Sequence, residues 1–210
     1  MVARQTETGG EDSPRARAAD SMAQERERIW RARQRDPQAF AELVRLHQDD
    51  VYSLVRRMIR DDQLAEELTQ DVFLRAWRNL PGFRGDSRFA TWLYRIAINL
   101  CQDYKQSRVA QHRRRETDLE SPELRQQESR GLVRRPDEVQ AEEEVASLFE
   151  KSLDALEPPY LAAFLLYHQQ GLSMEEVAGA MGISRGNAKV RVHRAREMIL
   201  DSLRRQGFDV

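Results

Sequence analysis

The sequence predicts an all-α protein built as two small helical domains joined by a flexible linker. Three observations carry this. Apolar residues recur at three- and four-residue spacing from Asp36 to about 106, without strand-like alternation, and again through the last seventy residues. Between these stretches, 107–136 has no sustained apolar period and is rich in Arg, Glu and Gln, with Ser121-Pro122 and Gly131. Helix-start chemistry, a capping side chain followed by Pro or an acidic first turn, sits where each periodic stretch begins.

Residues 1–23 are polar, carry Gly9-Gly10, and are read as a disordered tail. The first domain is placed at 24–106. Asp36-Pro37 starts a helix, with Asp as the N-cap and Pro at the first helical position. Phe40, Leu43, Val44, Val51, Leu54, Val55, Met58 and Ile59 then mark its inward face. Asp61-Asp62 breaks and recaps the pattern, and Leu64, Leu68, Val72, Phe73, Ala76, Trp77 and Leu80 form the next stripe, ended by Pro81-Gly82. Ser87 is placed to cap a third helix whose inward face is Phe89, Trp92, Leu93, Ile96, Ala97 and Leu100.

The linker is set at 107–136 and the second domain at 137–210. Val139, Val145, Leu148, Phe149, Leu153 and Leu156 make one helix, closed by Glu157-Pro158-Pro159. Tyr160, Ala163, Phe164, Leu166 and Tyr167 make another, ending at Gly171. A short helix over 173–181 and a longer one from Ser184 follow.

Charge is unevenly placed along a chain whose net charge is only −1. Asp86–Arg115 holds seven basic and two acidic residues, Ser184–Arg205 the same numbers, and Glu116–Glu157 between them thirteen acidic and five basic. Two basic blocks around an acidic spacer suggest two anion-binding surfaces, the alternative being ordinary solvated helix faces. One cysteine, Cys101, gives neither a disulfide framework nor a thiolate zinc site and reads as a buried small hydrophobe. The four histidines show no metal-ligand spacing, and no nucleophile–base pair or phosphate loop is visible. No catalytic residue, metal or cofactor is therefore expected, and the chain reads as a non-enzyme. No apolar run approaches the ~20 residues of a membrane span, and the N-terminus has no apolar signal core, so a cytoplasmic protein without membrane insertion is expected.

Two segments carry chemistry. In Pro81–Asn99, a polar loop (Arg84, Gly85, Asp86, Ser87) runs into a helix dense in aromatics, with Arg88 and Arg95 interleaved among Phe83, Phe89, Trp92 and Tyr94. Aromatics beside Arg near a loop can hold an unstacked base, since each base offers a π-face and each nucleotide a phosphate. In the C-terminal part, Ser173 with Glu176 makes a capping box, Gly182 supplies the positive φ of a tight turn, and Ser184 caps a basic second helix. This is a helix-turn-helix signature, whose second helix enters the major groove. On that helix Arg185, Lys189 and His193 can share a face with Arg196 below, while Arg191 and Arg194 are available to phosphates.

The wording FRGDS, then TWLYRIA, then Asn99 resembles the promoter-melting segment of extracytoplasmic-function (ECF) sigma factors, and the resemblance covers about Asp36 to Leu203 apart from the linker. It implies a sigma-2 helical bundle and a sigma-4 four-helix domain with the helix-turn-helix. Partners implied are core RNA polymerase (β and β′ subunits), promoter DNA and an anti-sigma factor. Glu67, Gln70, Asp71 and Leu74 fall in the segment that docks on the β′ clamp helices. Phe83, Arg84, Ser87, Arg88, Trp92, Arg95, Asn99 and Asp103 fall in the segment that binds and melts the −10 element. Phe83, in the loop, is expected to touch a base, whereas Trp92 also lies on the inward stripe. Recognition of the −35 element is implied at Lys189, Val190, His193 and Arg194, beside Arg185 and Arg191. Many relatives carry Val-Gly-Thr-Val where this chain reads Gly186-Asn187-Ala188-Lys189-Val190, so the −35 sequence itself does not follow. The competing reading is a stand-alone helix-turn-helix regulator, which accounts for Ser173–Leu200 and leaves the loop-aromatic segment without a purpose.

Overall fold

Helix boundaries in this chain are set by short local devices. The structure, a computed structural model, describes the backbone of residues 14–118 and 138–208, and the side chains of 20–108 and 145–208. Eight α-helices are described: α1 (Pro14–Arg33), α2 (Pro37–Ile59), α3 (Asp62–Asn79), α4 (Phe89–Asp118), α5 (Glu138–Asp154), α6 (Pro158–Phe164), α7 (Met174–Met181) and α8 (Arg185–Arg205). A 3₁₀ turn (Leu80–Gly82) follows α3, and a π turn (Leu165–Gln169) extends α6. No strand occurs among the described residues.

The expected caps at Asp36 and Asp61 are present. Asp36 accepts from the N–H groups of Gln38 and Ala39, and Asp61 from Leu64. Between them Arg60 ends α2 in the left-handed region (φ 62°). Ser87 does not cap α4. Its hydroxyl instead donates to the Arg88 carbonyl, and that same carbonyl accepts the N–H of Trp92, so Arg88 starts the helix.

Two boundaries and one side chain differ from the sequence reading. Residues from Pro14 onward are helical rather than tail. Ala, Arg and Glu are good helix formers whatever their polarity, and Ala32 is fully buried where α1 folds back on α2. Arg28 Nε donates to Glu42 at 2.8 Å and His47 pairs with Glu25 at 3.0 Å across this hairpin. At the other end α4 continues through 107–118, shortening the expected linker, whose remaining residues lie outside those described. Val145 is exposed rather than inward.

The first core is α2 against α3 and α4, centred on Leu43, Leu54, Met58, Val72, Leu93 and Ile98. Cys101 belongs to it, and burial pushes its thiol pKa up to about 12. The second core packs α6 and α8 together, with α5 and α7 flanking them, around Leu161, Leu165, Leu166 and Val177. Apolar contact is continuous from one core to the other, because α7 lies directly on α4.

Candidate nucleic-acid interface

The helix-turn-helix is built as its residue spacing predicts. Ser173 Oγ accepts from the Glu176 N–H at 3.3 Å, while the Ser173 N–H and hydroxyl donate to Glu176 Oε2 at 2.9 and 2.8 Å. Gly182 adopts φ 66° and its N–H closes α7, so the turn needs a residue without a Cβ penalty. Ser184 Oγ accepts from Asn187 and starts α8. Ala188, Val192, Ala195 and Ile199 face the core. This leaves Arg185, Lys189, Val190, His193 and Arg194 on the outer face, with Arg191 half-buried. Val190 is an exposed apolar side chain on this face. Arg185 is engaged by Glu175 at 2.7 Å, Arg194 reaches the Tyr160 hydroxyl at 3.5 Å, and His193 lies 3.4 Å from Glu197.

On α3, Glu67, Gln70, Asp71 and Leu74 are all exposed; Gln70 and Asp71 each lie three or four residues from both Glu67 and Leu74, so the four share a face. Leu74 is 52% exposed, unusual for a large apolar side chain with no partner helix over it. Gln70 and Leu74 border a groove of about 520 Å³ between α2 and α3, floored by Phe40, Val44, Phe73 and Trp77. A polar and acidic helix face beside an apolar groove suits a basic helical partner.

The loop and α4 depart from expectation in one respect. Phe83 is only 7% exposed: the chain turns at Leu80–Gly82 and folds it onto Phe89 and Trp92, with ring centroids 5.6 and 5.1 Å away. Phe83 is thus the buried base of an aromatic cluster and not an exposed platform, while Trp92 and Ile96, read mainly as core, are only half-buried. Arg84, Ser87, Arg88, Arg95, Asn99 and Asp103 are exposed. Arg95, Asn99 and Asp103 succeed one another by four residues along α4, so they form one stripe, with Trp92 at its edge.

The two domains clasp each other over part of this stripe, which sequence reasoning missed. Arg88 Nε lies 3.2 Å from Glu176 Oε1, the oxygen the capping box leaves free. Burial of Glu176 opposes its ionisation, but the Ser173 N–H and hydroxyl, with Arg88, outweigh it and hold the carboxyl below its usual range. Arg95 reaches the Gly182 turn. The Tyr94 hydroxyl, buried and pushed up in pKa by desolvation, donates to Gln170 at 2.7 Å. Arg57 donates to Glu150 at 2.8 Å and Arg60 pairs with Asp154 at 2.7 Å across a crevice of about 710 Å³. The outer face of α8 takes no part in these contacts.

Fold and surfaces define a two-domain, all-helical helix-turn-helix protein with a second exposed basic and aromatic surface on its first domain. Residues 43–111 match the family described as Sigma-70 region 2, and residues 146–199 that described as Sigma-70, region 4. The ECF RNA polymerase sigma-E factor of Escherichia coli K12 is 36% identical over 175 residues, 81% of this chain and 90% of that protein. The RNA polymerase sigma-H factor of Pseudomonas aeruginosa PAO1 is 30% identical over 180 residues, 85% and 93% respectively. Among solved structures, CnrH in complex with the cytosolic domain of CnrY shares the fold (TM-score 0.62, 24% identity, 86% of this chain and 97% of that one). The sigma factor RpoE of Bartonella quintana, solved with the anti-sigma factor NepR, has TM-score 0.57 at 25% identity, over 79% and 96%. The chain belongs to the sigma-70 family, in its extracytoplasmic-function group.

Among the described residues no group of His, Cys, Asp and Glu is arranged to hold a metal ion, and no helix is long and apolar enough to cross a membrane.

Proposed function

We propose that this chain is a dissociable promoter-specificity subunit of bacterial RNA polymerase, acting in the cytoplasm without catalysing a reaction itself. In this reading the α3 face (Glu67, Gln70, Asp71, Leu74) docks on the β′ subunit. The α4 stripe holds the −10 strand, and the outer face of α8 reads the −35 element. The supporting observation is the coexistence, in one chain, of the exposed Arg88–Arg95–Asn99–Asp103 surface and a helix-turn-helix with a basic outer face. A stand-alone regulator has use for only the second. Melting costs a few kcal/mol for each extruded base, and a single-strand surface offsets it. Like the Bartonella RpoE, the chain takes an anti-sigma factor as a partner.

The clasped arrangement is the resting form. The −10 and −35 elements are, by name, 25 base pairs apart, which at ~3.4 Å each is about 85 Å. A compact 210-residue chain has a radius of gyration of about 17 Å. The domains must separate to hold both elements, and separation frees Arg88 and Arg95.

The test is run-off transcription with core polymerase on promoters recovered from a randomised duplex library. Asn99→Ala is expected to slow open-complex formation while leaving closed binding nearly intact. Equal loss of both, or tight palindromic operator binding without polymerase, would overturn the reading.

A further inference from the structure

The helix α1 presents a second exposed aromatic and basic surface that the domain core does not explain. Trp30 is 57% exposed and makes no ring contact among the described residues. Arg26 lies four residues before it and Arg33 three after, so all three share one face. Both arginines are exposed, and neither forms an ion pair among the described residues. An apolar indole standing between two uncommitted guanidinium groups has no role in holding α1 to α2. That work is done by Ala32, Arg28 with Glu42, and Glu25 with His47, on other faces of the helix.

This face is continuous with the loop ahead of α4. Met22, Arg26 and Ile29 form one wall of a cavity of about 670 Å³ whose opposite wall is Phe83, Ser87 and Arg88. That volume is within the ~300–1,000 Å³ of sites that take small organic ligands. It is enough for a nucleotide, and it is lined by apolar carbon with Arg at each rim. The acids nearby leave Arg26 uncommitted: Glu25 is held by His47, and Asp86, the other acid of the lining, makes no ion pair with it, while Arg88 is paired with Glu176 as long as the domains are clasped. Further along α1, the Leu80–Gly82 turn packs on the helix and keeps its face fixed relative to the loop.

We propose that α1 is a second wall of the single-strand site: a nucleotide of the melted strand next to the one held by α4 enters the α1–loop cavity, Trp30 stacks on a neighbouring base, and Arg26 and Arg33 hold the phosphates on either side. This rests on the −10 reading of the α4 stripe and extends it to a helix that precedes the family-matched residues. Arg26 and Arg33 are seven residues, about 10 Å, apart along the helix, and they bracket the indole. Stacking on an aromatic tolerates any base, because every base has a π-face. The contact therefore lengthens complex lifetime more than it selects sequence.

The experiment uses the full chain assembled with core polymerase and a promoter recovered as above, with open-complex lifetime read by competitor challenge. Trp30→Ala is expected to shorten the lifetime between about 5- and 150-fold, the range for losing one base–aromatic stack. Trp30→Phe is expected to restore most of it. Arg26→Gln with Arg33→Gln should flatten the salt dependence of strand binding by about 1.4 in log–log slope, from roughly 0.7 per single-strand phosphate contact. Core-polymerase affinity is measured in parallel. A Trp30→Ala lifetime equal to wild type while Asn99→Ala still impairs melting overturns the α1 proposal alone. A loss confined to core binding also overturns it and marks the face as a protein contact. If Asn99→Ala and Trp30→Ala are both silent, the underlying −10 reading fails with it.

Discussion

Reversing two charges on α5 tests whether the domain clasp is a switchable latch. Glu150→Lys with Asp154→Lys removes the pairs to Arg57 and Arg60 and sets like charges in their place. These side chains are between 37% and 54% exposed, so each pair is worth only about 0.2–1 kcal/mol. Replacing attraction by repulsion roughly doubles the change, giving about 0.8–4 kcal/mol in all. At ~1.4 kcal/mol per tenfold, this moves the closed–open equilibrium about 4- to 700-fold toward open. Both positions lie near the C-terminal end of α5, where a cation is favoured by the helix dipole, so the helix itself is not weakened. The assay is fluorescence energy transfer between dyes on engineered cysteines in α3 and α8. The native Cys101 is buried, with its thiol pKa pushed up to about 12, and stays unlabelled. The variant is expected to show lower transfer and a larger radius of gyration at low salt. Raising salt to ~1 M, where the screening length is about 3 Å, should bring wild type toward the variant. Unchanged transfer in the variant at every salt concentration would refute the latch.

Two further outcomes are expected. Ser173→Ala deletes the capping box of α7 and should cost about 1 kcal/mol of the second domain's stability, read as a lower thermal midpoint; an unchanged midpoint would show the cap to be dispensable. For pH, the hydrogen bond from His47 holds the Glu25 carboxyl below its usual value of 4.5. A depressed carboxyl stabilises the fold above its unfolded pKa and loses that contribution as pH falls through the folded one. Wild type should therefore lose α1–α2 stability below about pH 4.5 more steeply than Glu25→Gln, measured by acid titration of helix signal; parallel curves would exclude this pair as the cause.

The parts legible in the sequence are those fixed by contacts within a few residues. Asp36 bonds the N–H groups two and three positions on, Ser173 and Glu176 are three apart, and Gly182 closes the helix that Ser173 opens. Such devices are written side by side in the chain. What escaped prediction is held by distant partners. The N-terminal helix looks like a polar tail because its packing residues are few, and its anchors lie 14 and 22 residues away at Glu42 and His47. Phe83 sits among loop residues and reads as exposed, but the aromatic rings that bury it come six and nine positions later, on a helix that reverses direction. The Arg88–Glu176 contact bridges 88 positions and has no local signature.

Glu176 shows why the clasp is suited to release. Its Oε2 is committed to Ser173 and its Oε1 to Arg88, so one carboxylate ends a helix and ties two domains together. At Glu176, opening the clasp breaks only the second bond, because the capping box closes without Arg88. The other ties share this character: Arg57–Glu150 and Arg60–Asp154 are half-exposed pairs that water can replace on each side. To shift the population, a partner must favour the open form over the closed by the sum of these small terms, the Tyr94–Gln170 hydrogen bond and the apolar contact of α7 on α4. In the proposed reading, docking of the α3 face on polymerase does not compete with the clasp, since Glu67, Gln70, Asp71 and Leu74 are exposed while it is closed. That reading lets polymerase bind first, after which a −10 strand that takes Arg88 and Arg95 away from α7 would hold the domains apart.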